Sequence, residues 1–371
     1  MNIFFWLIYY IKCGINLLLA KIFNLFKSVK EDKKILKFTK KKISDYLYLV
    51  KLEGNYYQMG KQYGSLMKEV LELDIERVKS FLNQNQYILM KNINPRIKKK
   101  IKSDTNILDA CYLMYLEVLY FIPEYYINFI KGMSKESGID FKTLISVNFF
   151  SELAENHCIL YSNFSINKTL SIRTLDFGCP QFNQSLIVFK PTSGYNYINL
   201  NLSFLLSGIS MISENGLILG ESFYDYSLGK DEHRGTPFAV LFHHIMLNAK
   251  NIKEAEEIMT KTKRMGNLHI SIIDSNNNEG AIYNYCSESL KYYQKSDSDN
   301  KIIYSVTPKE KRKFEKYKDT FTNAEEAIHN MLPMVKSGEL HVMIYFDNYL
   351  YVSVTTDYLQ SYNNDFIKLK I

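Results

Sequence analysis

The chain contains few of the residues that build cross-links and metal sites. Its 371 residues include five cysteines, an odd number with uneven spacing: Cys13, Cys111, Cys158, Cys179 and Cys286. A disulfide framework needs paired cysteines, and a structural zinc site needs closely spaced ligand pairs. The sequence therefore predicts neither a disulfide scaffold nor a metal site.

Basic clusters of the nucleic-acid-binding kind are also missing. The net charge of +7 is spread along the chain, and its densest runs lie at 27–42 and 96–102. Neither run interleaves basic residues with stacking aromatics in a known recognition module, so we predict no nucleic-acid partner. Apolar residues make up 46% and charged residues 23%, which are ordinary values for a globular protein and exclude a largely disordered chain.

The amino terminus is apolar but lacks an uninterrupted hydrophobic run. Four polar side chains interrupt residues 3–26, namely Lys12, Asn16, Lys21 and Asn24. At about 100° per residue, most of these polar side chains fall on one side of a helix and leave Phe, Leu and Ile on the remainder. This pattern is typical of an amphipathic helix that lies on a membrane surface. The charge pattern and cleavage site of a secretory signal are missing.

We therefore predict a membrane-associated leader over residues 1–30. A helix that spans the membrane and a helix that docks on the protein itself are the alternatives. If the leader spans, the basic run after it would keep the following chain on the cytoplasmic side. The side of the membrane otherwise stays open.

The body changes from helical to strand patterns near residue 154. Apolar periodicity predicts a strand at 46–52 and then helices at 57–82, 107–121 and 125–133. Alternation and β-branched residues then predict strands at 158–161, 169–174, 185–190, 197–202, 207–212, 217–221, 270–274, 281–285, 340–345 and 349–354, with helices from 237 and at 253–262. Antiparallel strands flanked by helices predict an α+β fold whose sheets are covered by helical layers.

Cys158 is the candidate nucleophile. It opens the strand-rich half, and Arg173 and Asp176 follow at the end of the next strand pair. Because a hairpin of this length returns its second strand to the start of its first, we expect either charged side chain to reach the thiol. There it would lower the thiol pKa or orient an amine. A cysteine that serves only as a small buried hydrophobic residue is the alternative.

Six segments occur in the order found in one protein family. They are Leu52-Glu-Gly-Asn-Tyr-Tyr-Gln-Met-Gly-Lys-Gln-Tyr-Gly64, Phe129-Ile-Lys-Gly-Met-Ser-Lys-Glu-Ser-Gly-Ile139, Leu144-Ile-Ser-Val-Asn148, Cys158 with Arg173-Thr-Leu-Asp176, Asn215-Gly-Leu217, and Gly235-Thr-Pro237 with the later Ala255. Over roughly residues 50–290 the chain resembles the acyl-coenzyme A:6-aminopenicillanic acid acyltransferase family. These C45 autoproteolytic peptidases are relatives of penicillin V acylase and bile salt hydrolase.

The resemblance implies a four-layer αββα sandwich of the N-terminal-nucleophile hydrolases. It divides the chain into the leader at 1–30, a mostly helical pro-region at 31–157 and a catalytic region at 158–371. The precursor would cleave itself between His157 and Cys158. The implied reaction is the hydrolysis or transfer of an acyl group from a linear amide or an acyl thioester, through a thioester on Cys158. Acyl-coenzyme A is the implied co-substrate for transfer, and no metal or organic cofactor is needed.

The resemblance also assigns roles to individual residues. Arg173 and Asp176 would orient the freed amine and the thiolate. An asparagine on a later strand would contact the oxyanion, and we predict Asn267 for this role, with His269 as the alternative in the neighbouring register. Arg312 follows at the usual distance for the arginine of a family Ser-x-x-Arg pair.

Some residues depart from the family pattern. His157 and Ile159 stand where the family has a small residue and a Ser or Thr, and Thr307-Pro308 replaces an Asn-His pair. These departures favour an alternative, a membrane-bound pseudoenzyme that binds without cleaving. A further alternative is a papain-like Cys–His enzyme, for which His269 is the candidate base.

Overall fold

The computed structural model describes residues 38–93, 95–102, 104–153, 158–178, 181–223 and 234–371. The predicted leader and His157 lie outside these ranges. Lys37–Ile371 forms one compact unit, and the predicted cleavage point falls within its length. Among the described residues, no helix has both the length and the apolar character needed to cross a membrane.

Strands dominate the chain after Cys158. The described strands are β1 (Thr39–Lys42), β2 (Leu47–Gly54), β3 (Leu160–Asn163), β4 (Leu170–Leu175), β5 (Gln184–Pro191), β6 (Tyr197–Leu202), β7 (Ser210–Ser213), β8 (Leu217–Phe223), β9 (Asn267–Asp274), β10 (Glu279–Cys286), β11 (Leu290–Lys295), β12 (Ile302–Ser305), β13 (His341–Phe346), β14 (Tyr349–Val354) and β15 (Ile367–Lys370).

The strands form two sheets. The nine-stranded sheet has the order β1-β2-β5-β6-β7-β8-β9-β10-β11, and the six-stranded sheet has the order β12-β3-β4-β13-β14-β15. Strand β2 pairs with β5 in parallel, with Leu47 opposite Gln184. A strand from before Cys158 is therefore part of the same sheet as strands from after it.

Helices cluster before Cys158 and recur between the later strands. They are α1 (Tyr56–Leu66), α2 (Lys68–Gln84), α3 (Gln86–Asn92), α4 (Pro95–Lys98), α5 (Ile107–Val118), α6 (Glu124–Ser137), α7 (Phe141–Phe149), α8 (Phe238–Asn248), α9 (Ile252–Lys261), α10 (Pro308–Tyr317), α11 (Ala324–Glu326) and α12 (Leu332–Val335). A π-helix, Ala327–Met331, joins α11 to α12. Short 3-10 segments lie at Leu119–Phe121, Phe150–Glu152, Lys318–Thr320 and Ser361–Asn363.

Glycines allow α1 and α6 to approach each other closely. A Cβ added at Gly60 would overlap the carbonyl group of Phe129, and one added at Gly132 would overlap the carbonyl oxygen of Tyr57. Gly64 makes the same kind of contact one turn further along. Only glycine leaves room for such an approach of two backbones. The glycine spacing seen in the sequence at 52–64 thus has a packing explanation.

Within the described ranges, buried apolar side chains form three clusters. We call the first the helix-side core, in which Met59 and Val78 of the helices join Ile272 of β9. The second, the inter-sheet core, contains side chains of both sheets, such as Ile273 and Met343. Adjacent side chains on a strand point to opposite faces, which is why Ile272 and Ile273 belong to different clusters.

The third cluster, which we call the outer core, covers the other face of the six-stranded sheet. Phe314 of α10 and Leu332 of α12 pack there with Tyr161 and Ile344. The Tyr161 hydroxyl also donates to the carbonyl oxygen of Phe321 at 2.9 Å. Helices therefore contact the six-stranded sheet on the face opposite the inter-sheet core.

The structure agrees with the predicted α+β class and with most predicted elements. The strands at 197–202 and 349–354 have the predicted bounds. The helix predicted at 57–82 is divided into α1 and α2 at Met67. Neither β11 nor β15 was predicted. The side chains of β11 are partly or fully exposed without a regular alternation, and β15 alternates but is only four residues long.

Candidate functional site

Cys158 lies just before β3, because the strand predicted at 158–161 begins only at Leu160. Its side chain is 1% exposed and belongs to the helix-side core. Strand β3 pairs with β4 in antiparallel fashion, with Leu160 opposite Arg173. The hairpin therefore brings the end of β4 to the start of β3, as the sequence spacing predicts.

The Cys158 thiol is held in a neutral form. Its Sγ donates a long contact to the backbone carbonyl oxygen of Asp176, at 4.0 Å. Burial raises the pKa of the thiol well above its ordinary value, and the nearby positive charge of Arg173 opposes this only in part. The carboxylates of Glu221 and Asp176 raise the pKa further. The thiol is therefore protonated at neutral pH in this state of the chain.

Arg173 forms a buried ion pair that the sequence did not reveal. Its guanidinium Nη2 lies 2.5 Å from Glu221 Oε1 on β8, and both side chains are 3% exposed. A Cβ at Gly220 would lie 2.8 Å from Arg173 Cγ, so this glycine provides the space for the arginine. A buried arginine needs a partner of this kind, because an unpaired buried charge is strongly destabilising.

Two nitrogens of Arg173 make no hydrogen bond to the described residues. Its Nε and Nη1 are buried without a partner among them, although buried polar groups are nearly always bonded. Both nitrogens carry N–H groups that could donate a hydrogen bond to a substrate oxygen. Arg173 therefore combines a fixed orientation with unused donor capacity near the thiol.

Glu221 could have been suspected from the sequence. It is a charged residue in a strand whose other residues are apolar or small, Leu217–Phe223. A buried carboxylate requires a cation, and Arg173 stands in another predicted strand. The pattern does not show that β8 and β4 belong to different sheets that meet at this point.

The Asp176 carboxylate is held by a loop far along the chain. The backbone N–H groups of Gly338 and Glu339 both donate to Oδ1 at 2.7 Å. The Ser337 hydroxyl donates to Oδ2. Burial raises the pKa of Asp176, and these hydrogen bonds limit that increase. The loop fixes the carboxylate one residue beyond the end of β4, which leaves the Asp176 carbonyl oxygen facing the thiol.

Asn267 and His269 lie at the start of β9. His269 stands opposite Ser222 of β8, and Asn267 stands opposite Cys286 of β10. The His269 Nδ1 is 2.7 Å from Ser305 Oγ, and its ring stacks on Tyr293 at 4.2 Å. Burial lowers the pKa of His269 to about 4, so the ring is neutral at neutral pH.

The structure brings together only part of the predicted site. Cys158, Arg173 and Asp176 meet at one end of β3 and β4. Arg312 is exposed on α10, a helix whose Phe314 packs in the outer core. The charged groups that shift the pKa of the Cys158 thiol are Arg173, Glu221 and Asp176, and Arg312 is not among them.

No protein-family model matches the chain. Two curated proteins from Dictyostelium discoideum are similar in sequence. Protein dcd1B is 21% identical over 349 residues, covering 84% of this chain and 69% of that protein. Protein dcd1A is 22% identical over 274 residues, covering 64% of this chain and 62% of that protein.

Among solved structures, a penicillin V acylase from Agrobacterium tumefaciens is similar over 53% of this chain and 83% of its own, at 12% identity and a TM-score of 0.37. A variant of the conjugated bile acid hydrolase from Clostridium perfringens covers 57% of this chain and 92% of its own, at 10% identity and a TM-score of 0.38. A Caenorhabditis elegans ortholog of N-acylethanolamine-hydrolyzing acid amidase is similar over 50% of this chain and 91% of its own, at 12% identity and a TM-score of 0.38. These values do not assign the chain to a family.

Proposed function

We propose that the chain is a cysteine N-terminal-nucleophile hydrolase or acyltransferase that acts on a linear amide or an acyl thioester. The observation that carries this proposal is the position of the Cys158 thiol, 4.0 Å from the Asp176 carbonyl oxygen. The same thiol lies within the electrostatic reach of Arg173. A nucleophile beside a charged orienting group and unused hydrogen-bond donors is the arrangement that acyl transfer requires.

We further propose the four-layer αββα sandwich as the fold. Three buried clusters support it. The helix-side core covers one face of the nine-stranded sheet, the inter-sheet core joins the two sheets, and the outer core lies between the six-stranded sheet and α10–α12. In this arrangement Cys158 begins the catalytic region, and residues 31–157 supply helices α1–α7 as well as strands β1 and β2.

The first proposed step is self-cleavage of a precursor. The Cys158 sulfur attacks the carbonyl carbon of His157, and the peptide C–N bond breaks as the C–S bond forms. The thiol proton passes to the departing nitrogen, which becomes the free α-amine of Cys158. Water then hydrolyses the thioester, which gives the His157 carboxylic acid and restores the thiol. No oxidant or cofactor enters this balance.

The second proposed step is turnover of substrate. The freed α-amine, with a pKa of about 8 in model compounds, accepts the thiol proton at neutral pH. The thiolate forms a thioester with the acyl group, which is then released to water or to an amine. Arg173, whose Nε and Nη1 have no partner among the described residues, donates to the developing oxyanion, and Asn267 contributes a second contact. Arg312 stays a candidate of unassigned role.

The partners follow from the same proposal. The substrate is a small acyl amide or acyl thioester, acyl-coenzyme A is the co-substrate if the acyl group is transferred, and no metal or organic cofactor takes part. The leader at 1–30 places the protein on a membrane surface. Removing residues 1–30 should release the protein from the membrane pellet, and retention in the pellet would contradict the anchoring role.

The experiment that tests the central proposal needs no known substrate. Intact-mass analysis and amino-terminal sequencing are applied to the wild type and to Cys158→Ala. We expect the wild type to be split between His157 and Cys158 and the variant to remain whole. Cleavage of Cys158→Ala at the same bond would show that Cys158 is not the nucleophile.

One observation favours a second candidate function. The thiol is buried and protonated in the uncleaved chain, as it would be in a membrane-associated pseudoenzyme that only binds. The two candidates differ in the reactivity of Cys158. Labelling of Cys158 by an electrophilic acyl probe in the folded protein supports the enzyme, whereas labelling only after denaturation supports the pseudoenzyme.

A further inference from the structure

The peptide group between Cys158 and Ile159 is held at both ends by buried hydroxyl groups. The Ser222 Oγ of β8 donates to the Cys158 carbonyl oxygen at 2.7 Å. The Ile159 N–H donates to Thr174 Oγ1 of β4 at 2.8 Å. A peptide group is planar, so holding its oxygen and its N–H fixes the orientation of the whole plane. The direction of the Cys158 side chain depends on that plane.

Thr174 connects this peptide group to Asp176 through Ser337. Because Thr174 Oγ1 accepts from Ile159, its own proton is free to point to Ser337 Oγ, 2.5 Å away. The Ser337 hydroxyl in turn donates to Asp176 Oδ2. Each hydroxyl carries a single proton, so the chain of hydrogen bonds runs in one direction from the peptide N–H to the carboxylate.

The Asp176 carboxylate at the end of this series strengthens its hydrogen bonds. Hydrogen bonds to an ionised acceptor are shorter and about twice as strong as neutral ones. Thr174 is fully buried and Ser337 is nearly so, which removes competition from water. The carbonyl oxygen of Asp176 itself faces the Cys158 thiol. One residue thus contacts the nucleophile by its main chain and orients the nucleophile's peptide group by its side chain.

We propose that Ser222, Thr174 and Ser337 are positioning residues that hold the 158–159 peptide group and thereby aim the Cys158 thiol. None of them has a role in the bond changes proposed above. The consequence for self-cleavage rests on the proposed function. The consequence for thiol reactivity does not, because it depends only on how the peptide group is held.

The test compares hydroxyl deletions in the full-length chain. Thr174→Val keeps the shape of the side chain and removes the hydroxyl. Ser337→Ala interrupts the series of hydrogen bonds at its middle. Thr174→Ser retains the hydroxyl. Ser171→Ala is the matched control, because Ser171 is a buried residue of the same strand β4 whose hydroxyl accepts from Ser162 at 3.0 Å. Folding of each variant is checked by its urea midpoint.

Two readouts are followed. The first is the rate at which the fragment beginning with Cys158 appears. The second is the rate of Cys158 alkylation by iodoacetamide against pH, assigned by peptide mass. Thr174→Val and Ser337→Ala should slow fragment formation at least tenfold. They should also move the midpoint of the alkylation profile away from that of the wild type, because the thiol then no longer keeps its orientation among the charged groups around it. Thr174→Ser and Ser171→Ala should stay within about twofold of the wild type.

The outcomes separate this proposal from the function it builds on. Fragment formation and an alkylation profile that are unchanged in Thr174→Val and Ser337→Ala would overturn the positioning role while leaving the hydrolase intact. An effect of Ser171→Ala equal to that of Thr174→Val would also overturn it, because packing alone would then explain the change. If the wild type never cleaves but the alkylation profiles of Thr174→Val and Ser337→Ala move as expected, self-cleavage is ruled out and the positioning role is kept.

Discussion

The helical segment before Cys158 and the strand segment after it are held together by different means. Helices α1 and α6 meet through glycines, with backbone against backbone and apolar side chains around them. At the start of β3, by contrast, Arg173, Glu221 and Asp176 bring three ionisable groups to one thiol. A buried ion pair adds little to stability compared with apolar packing of the same volume.

The difference teaches where function is to be sought. Groups that serve only stability are expected to be apolar and closely packed, as they are between α1 and α6. Beside Cys158, by contrast, charged groups are concentrated in a buried place, and burial raises the pKa of both Asp176 and Glu221. Such a group of charges marks a site that is maintained for a reason other than stability. The predictions below test whether the charged region and the packed region respond differently to substitution.

The largest effect is expected from breaking the buried ion pair on one side. Glu221→Leu leaves Arg173 charged and buried with no carboxylate, which should lower the free energy of unfolding by about 3–5 kcal/mol. The double variant Arg173→Met with Glu221→Leu should regain most of this loss, since both charges are then removed. Urea unfolding of the two single variants and the double variant measures the coupling. A loss below about 1 kcal/mol for Glu221→Leu would contradict the pairing.

In the packed region, Gly60→Ala should cost about 3 kcal/mol, the upper end of the usual range for overpacking. The added methyl group meets the Phe129 carbonyl group, and a backbone atom cannot move aside as a flexible side chain can. Ser65→Ala is the matched control, because Ser65 is exposed on the same helix α1. Equal urea midpoints for the two variants would show that α1 and α6 do not approach as described.

Asp74 is a buried aspartate in the helical region, and it can be compared with Asp176 of the charged region. It is buried on α2, accepts from Asn183 Nδ2 at 3.0 Å and lies 3.7 Å from Arg77 Nη1. Burial raises the pKa of Asp74 to about 7. A folded-state pKa above the unfolded value means that the folded chain binds more protons. The contribution of Asp74 to stability is therefore fully present below about pH 4 and is lost as the pH rises through about 7.

Replacing Asp74 by Asn should therefore remove part of the pH dependence of stability. We expect Asp74→Asn to raise the free energy of unfolding at pH 8 by roughly 1–2 kcal/mol, with a smaller change at pH 5. Unfolding in urea at both pH values measures the difference. A variant that is less stable than the wild type at pH 8 would mean that the Arg77 contact outweighs the burial of the charge.

The smallest effect is expected at the start of α1. The Asn55 side chain accepts from the Gln58 N–H, and the Gln58 side chain accepts from the Asn55 N–H, both at 2.9 Å. Asn55→Ala removes half of this capping box and should cost about 1 kcal/mol. Asn55→Ser, which can restore the acceptor, is the control. An unchanged thermal midpoint in Asn55→Ala would show that the cap adds nothing to stability.

Some of the site was predictable because it depends on local geometry. Cys158 and Arg173 are joined by a hairpin, and a hairpin of known length returns its second strand to its first. The glycines at 60 and 64 could be read as a close helix contact for a similar reason, since residues one turn apart share a helix face. The sequence by itself thus determined the α+β class, most strands and helices, and the return of the end of β4 to Cys158. That Asp176 faces the thiol with its main-chain carbonyl rather than its carboxylate was not predicted.

Other contacts were decided only by the tertiary structure. Glu221 reaches Arg173 from 48 residues away, and Gly338 reaches Asp176 from 162 residues away. Such pairs depend on which strands join which sheet, how the two sheets face each other and where a loop returns. The periodicity of apolar residues is a pattern along the sequence, so it indicates which side of a strand is buried. It does not indicate which distant residue packs against that side. The partners of Cys158 across the two sheets were therefore set by the packing of the whole fold.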